Sequence, residues 1–343
     1  LDGIISMSKV DDDKSTIQPA YWPWQQVLLE QVLSLKQQAR LPHAILIEAK
    51  SEQVGAPFIW HLIMLLLCNN NQNVDPCGQC QSCSLMMANT YPDYSFVTLM
   101  QDSKTKKINK NIKIEQIRNL IHEVHLTRRY DNLKVAVVYP AEKMSIPGAN
   151  SILKTLEEPA PYSLILLLTH NKGKVPVTIR SRCQVLTLEH PDRNIALDWL
   201  SQQGLNETES SQYLDYSTGD PLLALDLHSI QYGTVVKQFK AKFGLYMKNE
   251  IDVIKLCSTL VALELSLVRR LIKMVLRAYS LQFSGLSERV KEPKIHKKAG
   301  QQILALSTQV EQQLMIEENN LNLQVQLEDV LISLKRIIQG STH

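Results

Sequence analysis

The sequence predicts an α/β domain built on a parallel sheet, followed by two helical domains. Short runs that are apolar throughout alternate with helix-like segments up to about residue 189. Strands without polar alternation are typical of parallel sheets covered by helices on both faces. Past His190 and Pro191 the pattern is helical, without a further strong strand. The length of 343 residues also exceeds what one compact core usually accommodates, which favours two or three domains.

Five strand-like runs define the expected sheet, and helical spacing of apolar residues separates most of them. The strands are expected at 41–48, 93–99, 134–139, 163–169 and 182–189. The helices are expected at 25–38, 58–68, 112–126 and 148–159. Between the first strand and the helix at 58–68, the stretch AKSEQVGAP is expected to be a loop, in the place where a phosphate-binding loop would lie.

The same patterns give the expected domain boundaries. Residues 1–20, which contain VDDDK, read as a polar tail or an expression remnant. The α/β domain is expected at 21–189, with an inserted module at 68–83. A small helical domain is expected at 190–234 and a longer helical bundle at 235–343.

Composition narrows the functional classes. With 44% hydrophobic and 21% charged residues, the chain resembles an ordinary globular protein. The longest apolar run, Phe58 to Leu67, is about half the ~20 residues of a bilayer-spanning helix, so no membrane partner is expected. The first twenty residues lack the pattern of a secretory signal, which favours a reducing, cytoplasmic location. The net charge of +3 is too small for a strong nucleic-acid field, so any such binding requires a local patch.

Four of the six cysteines lie in one stretch, CNNNQNVDPCGQCQSC: Cys68, Cys77, Cys80 and Cys83. Two overlapping C-x-x-C pairs can reach one metal from a tight turn, and Cys68 supplies a fourth ligand. Four cysteine ligands leave no open position for a substrate water, so the sequence predicts a structural zinc site. The alternatives are a disulfide cluster, a redox centre or incidental free thiols. Cys183 and Cys257 stand alone, as small core residues do.

Several motifs occur together and in order, and this combination resembles a known family. The motifs are PHAILIE, the four-cysteine loop, YPDYSFV, IKIEQIR, ANSILKTLEEPAPYSLILLLT and TIRSRCQVL. Together they resemble the delta-prime family of bacterial DNA polymerase III clamp-loader subunits, within the AAA+ superfamily. The resemblance covers about 21–225 well and the C-terminal helices only loosely. It implies an AAA+ (RecA-like) sheet domain, a helical lid at 190–234 and a collar that assembles with partner subunits at 235–343.

The sequence departs from the pattern of an ATP-hydrolysing member at three places. A working phosphate loop follows G-x-x-x-x-G-K-[ST]. Aligning Gly55 with its second glycine puts Ala56 and Pro57 where Lys and Ser/Thr belong. After the strand KVAVV only Glu142 is acidic, so magnesium lacks the expected pair of carboxylates. In the lid, Leu222 stands where the resemblance implies an arginine in active members. ATP is therefore not expected to be bound by this chain.

The resemblance also implies a functional motif that this chain keeps, RSRC at residues 180–183. In active relatives an arginine there reaches the nucleotide of the adjacent subunit, so Arg182 is the candidate arginine finger, acting in trans, with Ser181 and Cys183 beside it in the motif. The alternative for Arg182 is an intrachain ion pair. The implied partners are the gamma/tau ATPase subunits and delta, in a hetero-oligomer, with the sliding clamp and primed DNA met through that complex.

Two other functions stay open at this point. As alternatives to a loader subunit without ATPase activity, the chain would be an active AAA+ ATPase with an unusual loop, or a zinc-dependent nucleic-acid-binding protein. The second would use runs of lysines without interleaved aromatics, which are more often solvated faces. These lysines are Lys104, Lys106, Lys107, Lys110 and Lys113, or Lys294, Lys297 and Lys298.

Overall fold

The fold is described from a computed structural model. It describes residues 21–50, 52–71, 73–101, 108–130, 132–283, 293–315 and 323–340, without the side chains of 52–53, 293–298 and 311–315. The expected tail at 1–20 lies outside these residues. The chain divides into two compact units, the first ending at Pro191 and the second beginning at Asp192. The further division of the second unit into a lid and a collar stays a prediction.

A five-stranded parallel sheet forms the centre of the first unit. Its strands are β1 (Ala44–Ala49), β2 (Tyr94–Val97), β3 (Lys134–Val138), β4 (Ser163–Thr169) and β5 (Gln184–Leu188). The strand order is β2-β3-β4-β1-β5, and every pairing is parallel. Every residue of β1, β3 and β4 is buried, as the fully apolar runs predicted. The predicted α/β class with a parallel sheet is confirmed.

In the described part of the first unit, six α-helices accompany the sheet. They are α1 (Gln26–Gln37), α2 (Glu52–Leu67), α3 (Gln81–Met87), α4 (Ile114–His125), α5 (Ile146–Glu157) and α6 (Val177–Arg180). On one face of the sheet, α4 and α5 contribute Ile117, Leu120 and Ile152 to a core that also contains Leu46 and Leu167 of the strands. The alternate strand residues point to the opposite face.

The prediction of a loop at AKSEQVGAP is wrong for most of that stretch, because α2 begins at Glu52 and contains Pro57. Proline removes one intrahelical hydrogen bond and usually favours a break. Here the following residues of the helix are almost all buried, and Phe58 has no exposed surface. The free energy of that burial offsets the lost hydrogen bond. As a result, only two residues separate the helix from β1.

A buried ion pair connects the sheet to the loop after α4. The Lys134 ammonium, at the start of β3, lies 3.8 Å from a carboxylate oxygen of Asp93 and donates to the carbonyls of Glu123 and Leu126. Asp93 also accepts hydrogen bonds from the backbone N–H groups of Arg129 and Tyr130. Because both charges are buried and each makes hydrogen bonds, this network stabilises the edge of the sheet next to the cysteine loop.

In the parts that the structure describes, the second unit is helical. Its helices are α7 (Arg193–Gln202), α8 (Glu207–Tyr216), α9 (Pro221–Ser229), α10 (Tyr232–Met247), α11 (Val253–Val261), α12 (Leu265–Phe283), α13 (Pro293–Met315) and α14 (Leu323–Gly340). Polar side chains cap several of them: Asn206 accepts from the backbone N–H of Glu209, and Asp220 accepts from Leu222 and Leu223. Every helix in the described ranges is too short or too polar to cross a bilayer.

Candidate functional sites: a cysteine cluster and a surface arginine

The four cysteines of the loop converge at one point in the first unit. Cys68 directly follows α2, Cys77 and Cys80 lie in the loop, and Cys83 is inside α3. Their Sγ atoms all lie within 4.8 Å of one another, and those of Cys68 and Cys80 are 4.0 Å apart. A tetrahedral site with Zn–S bonds of about 2.3 Å separates its sulfurs by roughly 3.8 Å. The cluster therefore has the donor set and nearly the spacing of a four-sulfur metal site.

Backbone N–H groups point at the sulfurs. The N–H groups of Asn70 and Cys77 donate to Sγ of Cys68 over 3.4 and 3.3 Å, and that of Cys80 donates to Sγ of Cys77 over 3.3 Å. Gly78 has φ +69°, a left-handed conformation that glycine adopts without strain, and it permits the tight turn between Cys77 and Cys80. Hydrogen bonds of this kind favour the thiolate, which is the form that binds a metal.

The thiols differ in acidity. Burial raises the pKa of Cys68 and Cys83. Burial acts in the same direction on Cys80, but hydrogen bonds from the backbone at Asn69 and Cys83 and from neighbouring thiols outweigh it and lower its pKa to about 6. Since metal ligation requires all four thiolates, binding would displace protons from the cluster, including those of the two buried cysteines.

Two residues that sequence reasoning missed hold the cysteine loop and the adjoining end of α2. His61 of α2 is buried, and its Nε2 lies 2.7 Å from the carbonyl oxygen of Val74 in the loop. Lys36 of α1 donates from Nζ to the carbonyl of Leu66, close to Cys68. The only available signal was a histidine inside the otherwise apolar run from Phe58 to Leu67.

The place of a phosphate loop is occupied by close packing. Strand β1 ends at Ala49 and α2 begins at Glu52, so only two residues connect them. Gly55 lies inside the helix, where an added Cβ would be 2.8 Å from Cβ of Ala49 and 3.2 Å from Cδ1 of Leu168. Within the described residues, the glycine therefore serves the contact between helix and sheet.

This packing predicts the effect of Gly55→Ala. Overpacking against a buried strand costs about 1–3 kcal/mol, more than the ~1 kcal/mol that alanine gains over glycine in a helix. We therefore expect a net loss of stability in chemical denaturation. Gly244→Ala in α10 is the matched control, because nothing lies within 4 Å of its added Cβ, and it should raise stability by about 0.5–1 kcal/mol. Equal gains in both variants would contradict the close contact at Gly55.

Side chains also fill the carboxyl edge of the sheet, where ligands of open α/β sheets bind. The Tyr139 hydroxyl lies 2.9 Å from Nε2 of His170, whose Nδ1 lies 3.2 Å from the carbonyl oxygen of Ala49. Glu142 accepts hydrogen bonds from the Thr169 hydroxyl and the His170 backbone N–H. The one carboxylate after β3 is thus engaged in tying β3 to β4.

Leu222, the lid residue that the resemblance singled out, is buried in the first turn of α9. It offers an apolar side chain to the interior of the second unit. A leucine in this position supplies packing and no hydrogen-bond donor.

Arg182 lies at the surface, just after α6. Its Nε donates to Oε1 of Glu157 over 2.8 Å, and a second guanidinium nitrogen contacts the same oxygen. Another of its nitrogens donates to the carbonyl of Thr178 over 2.8 Å and to the Ser181 hydroxyl. The arginine therefore makes the intrachain ion pair that was its alternative interpretation, and the finger role stays a prediction.

The other residues of the motif differ from Arg182 in their burial or in their hydrogen bonds. The exposed Ser181 hydroxyl donates to the Thr178 carbonyl. Cys183 packs against the core below α5, and burial raises its pKa to about 11. A thiol in this state is poorly suited to nucleophilic chemistry. Arg180 has its Nε buried without a hydrogen-bond partner among the described residues.

The lysine runs considered for nucleic-acid binding fall largely outside the described residues. Lys104, Lys106 and Lys107 are outside them, as are the side chains of Lys294, Lys297 and Lys298. Lys110 and Lys113 are exposed.

Comparison with known proteins finds a matching family model and several similar proteins. The family described as DNA polymerase III, delta subunit, matches residues 24–192. DNA polymerase III subunit delta' of Haemophilus influenzae is 32% identical over 233 residues, which cover 67% of this chain and 68% of the relative. The same subunit of Pseudomonas aeruginosa is 33% identical over 60% of this chain and 61% of its own length.

A solved structure, that of a DNA polymerase III gamma subunit-related protein from Thermotoga maritima, is also similar. It is 16% identical, with a TM-score of 0.39 over 90% of this chain and 99% of that one.

Proposed function

This chain belongs to the family of DNA polymerase III delta-prime subunits, and we propose that it is a clamp-loader subunit without nucleotide-hydrolysing activity of its own. It completes the loader ring with gamma/tau and delta subunits. Through that complex it helps to place the sliding clamp on primed DNA. Its active contribution is Arg182, which it supplies to the ATP site of a neighbouring subunit.

The single observation that carries this proposal is the contrast between two places in the first unit. Where a phosphate loop would lie, Gly55 packs against Ala49 and Leu168. At the surface after α6, the Arg182 guanidinium is about one-third exposed and paired with Glu157, which is itself half exposed. This contrast supports a chain that contributes an arginine to another subunit's nucleotide rather than binding one itself.

The chemistry of such an arginine is electrostatic. The guanidinium is always charged and presents its N–H groups in a rigid fork that matches phosphate oxygens. Placed beside a transferred phosphoryl group, it offsets the charge that builds up on the equatorial oxygens. The short helix α6 ends at Arg180, and the backbone N–H of Arg182 donates to the carbonyl of Ile179 in that helix.

We propose zinc as the metal of the cysteine cluster. Four thiolate donors at nearly tetrahedral spacing suit zinc and exclude the hard cations magnesium and calcium. The ion would fix the loop between α2 and α3, and its proposed role is structural because the cysteines supply all four ligands.

Nucleotide titration of the isolated chain tests whether it is itself an ATPase. We expect no tight binding of Mg-ATP, because Ala56 and Pro57 follow Gly55 where a phosphate loop has its lysine and hydroxyl, and Glu142 is engaged with Thr169. Isothermal calorimetry at millimolar nucleotide measures this. An affinity in the micromolar range, with a dependence on magnesium, would show that this chain is a nucleotide-binding subunit after all.

Co-purification tests the assembly itself. The full chain, mixed with gamma/tau and delta subunits of the same organism, should elute with them from a size-exclusion column in one hetero-oligomer. Metal analysis on the same fractions should give one zinc per copy of this chain. Elution of the chain alone under all mixing conditions would refute a loader subunit.

A further inference from the structure

The second unit contains a cleft of about 860 Å³ with a strongly cationic lining. Among the residues that the structure describes, its charged lining residues are Arg193, Asp215, Arg269, Arg270, Lys273 and Arg277. Five cations against one carboxylate give these residues a net charge of +4, more than the +3 of the whole chain. Because these like charges repel one another and an anion relieves that repulsion, such a cleft favours the binding of an anion.

Four of these cations lie on one face of α12. They occupy positions i, i+1, i+4 and i+8 of a helix that contains no acidic residue, and the opposite face is buried. The helical rise of 1.5 Å per residue places Arg269, Lys273 and Arg277 about 6 Å apart along the axis. A row of charges with this spacing suits an extended chain of anionic groups better than one compact anion.

In the described part of the cleft, the Arg269 guanidinium is incompletely hydrogen-bonded. Two of its guanidinium nitrogens, Nε and one terminal nitrogen, are enclosed without a hydrogen-bond partner among the described residues. A guanidinium carries five N–H donors and no acceptor, and leaving enclosed donors unmet is costly. By contrast, Arg193 is already satisfied by Asp215 at 2.7 Å and by the Ser211 hydroxyl at 2.8 Å.

An aromatic side chain lies in the same cleft wall. Tyr216 is half-buried and lines the cleft, and its ring meets that of Tyr232 edge-on at 5.6 Å. An aromatic face beside a row of arginines is the combination with which proteins bind single strands, because bases stack on the ring while the cations follow the phosphates. An acidic peptide would use the cations but has no need of the ring.

We propose that this cleft binds a single-stranded nucleic acid, with Arg269 and Arg277 on successive phosphates and Tyr216 against a base. The site goes beyond the proposed loader function, because neither Arg182 nor the cysteine cluster takes part in it. Guanidinium groups hold phosphates with two parallel N–H···O bonds, which accounts for the three arginines on α12.

The test is fluorescence anisotropy of a labelled oligothymidylate with the full chain across a series of salt concentrations. We expect Arg269→Gln/Arg277→Gln to weaken binding on the order of 10-fold and to lower the slope of log K against log salt by about 1.4, since each lost phosphate contact on a single strand accounts for about 0.7. Tyr216→Leu should weaken binding and leave the slope unchanged.

The matched control is Lys240→Gln/Lys255→Gln, which removes the same charge from exposed positions on α10 and α11 outside the cleft. It should retain the wild-type affinity and slope. If the arginine double variant does not fold, Arg277→Gln alone, at an exposed position, should lower the slope by about 0.7.

Three outcomes overturn the proposal: no salt-dependent binding by the wild-type chain, an equal loss in the control, or competition by polyglutamate or inorganic phosphate at the same charge concentration as by unlabelled oligonucleotide. The last of these would assign the cleft to an acidic peptide or a free phosphate. Arg182→Ala should bind like the wild type, so this proposal and the loader function fail separately.

Discussion

Replacement of Arg182 by alanine in the assembled loader is expected to slow ATP hydrolysis at the neighbouring subunit's site by on the order of 10³-fold, the lower end of the range for arginine fingers. The reason is that a fixed guanidinium stabilises the charge of the transition state and is lost outright in alanine. The measurement is single-turnover phosphate release by the complex in the presence of clamp and primed DNA. Only the site adjoining this chain should lose its fast phase.

The ion pair with Glu157 does not prevent this role. Surface pairs contribute about 0–1 kcal/mol, so the guanidinium can leave the carboxylate at little cost when a phosphate becomes available. The hydrogen bond to the Thr178 carbonyl can keep the side chain directed along α6 meanwhile. Glu157→Gln should therefore leave hydrolysis within about threefold of the wild-type rate, because it removes the competing charge and keeps the fold.

Graded variants separate the finger from a structural arginine. Arg182→Lys keeps the charge but loses the fork, so it should recover only part of the rate. Arg40→Ala removes another exposed arginine, just after α1, and should have no effect. All variants should unfold within about 0.5 kcal/mol of the wild type, as surface substitutions do. Unchanged phosphate release in the Arg182→Ala complex would rule out the finger and leave Arg182 as the partner of Glu157 alone.

The sheet was predictable from sequence because its strands are buried on both faces and therefore apolar throughout. The stretches KVAVV and SLILLLT could hardly form anything else in this alternation, and β3 and β4 lie where they were expected. The cysteine cluster was also predictable from the sequence, because the spacing of its ligands is a local property of the chain. The start of α2 was missed because Gly55 and Pro57 are loop residues by local preference, and only the packing of Gly55 against β4 reveals why they are tolerated in a helix.

Contacts between residues distant in sequence could not be read in this way. Glu157 and Arg182 are 25 residues apart, and no periodicity links them. The same holds for Lys36, which meets the carbonyl of Leu66 from another helix. The cationic row on α12 is different, because the spacing of VRRLIKMVLR is visible in the sequence. No sequence pattern indicates that Tyr216 lies near this row, and α8 places it in the same cleft.

Removal of the metal from the cysteine cluster is expected to destabilise the first unit by at least about 3 kcal/mol, because structural zinc sites contribute their binding free energy to folding. Cys68 follows α2 and Cys83 lies inside α3, so an ion held by both would connect these helices to the loop, and its loss would remove that connection. Dialysis against a strong chelator, followed by chemical denaturation, measures the loss, and added zinc should restore the stability. Cys80→Ser should lower both the zinc content and the stability of the untreated protein.

The effect should be local, which distinguishes a structural ion from a general stabiliser. Hydrogen exchange after metal removal should rise in the loop 69–80 and in α3, where the N–H groups of Cys77 and Cys80 now donate to sulfur. It should not change in α14 of the second unit. Cys257→Ser is the matched control: this buried cysteine of α11 lies outside the cluster, so the variant should keep one zinc and its response to the chelator. A stripped wild-type chain that unfolds at the same denaturant concentration as the zinc-loaded one would show that the cluster does not hold the loop through a metal.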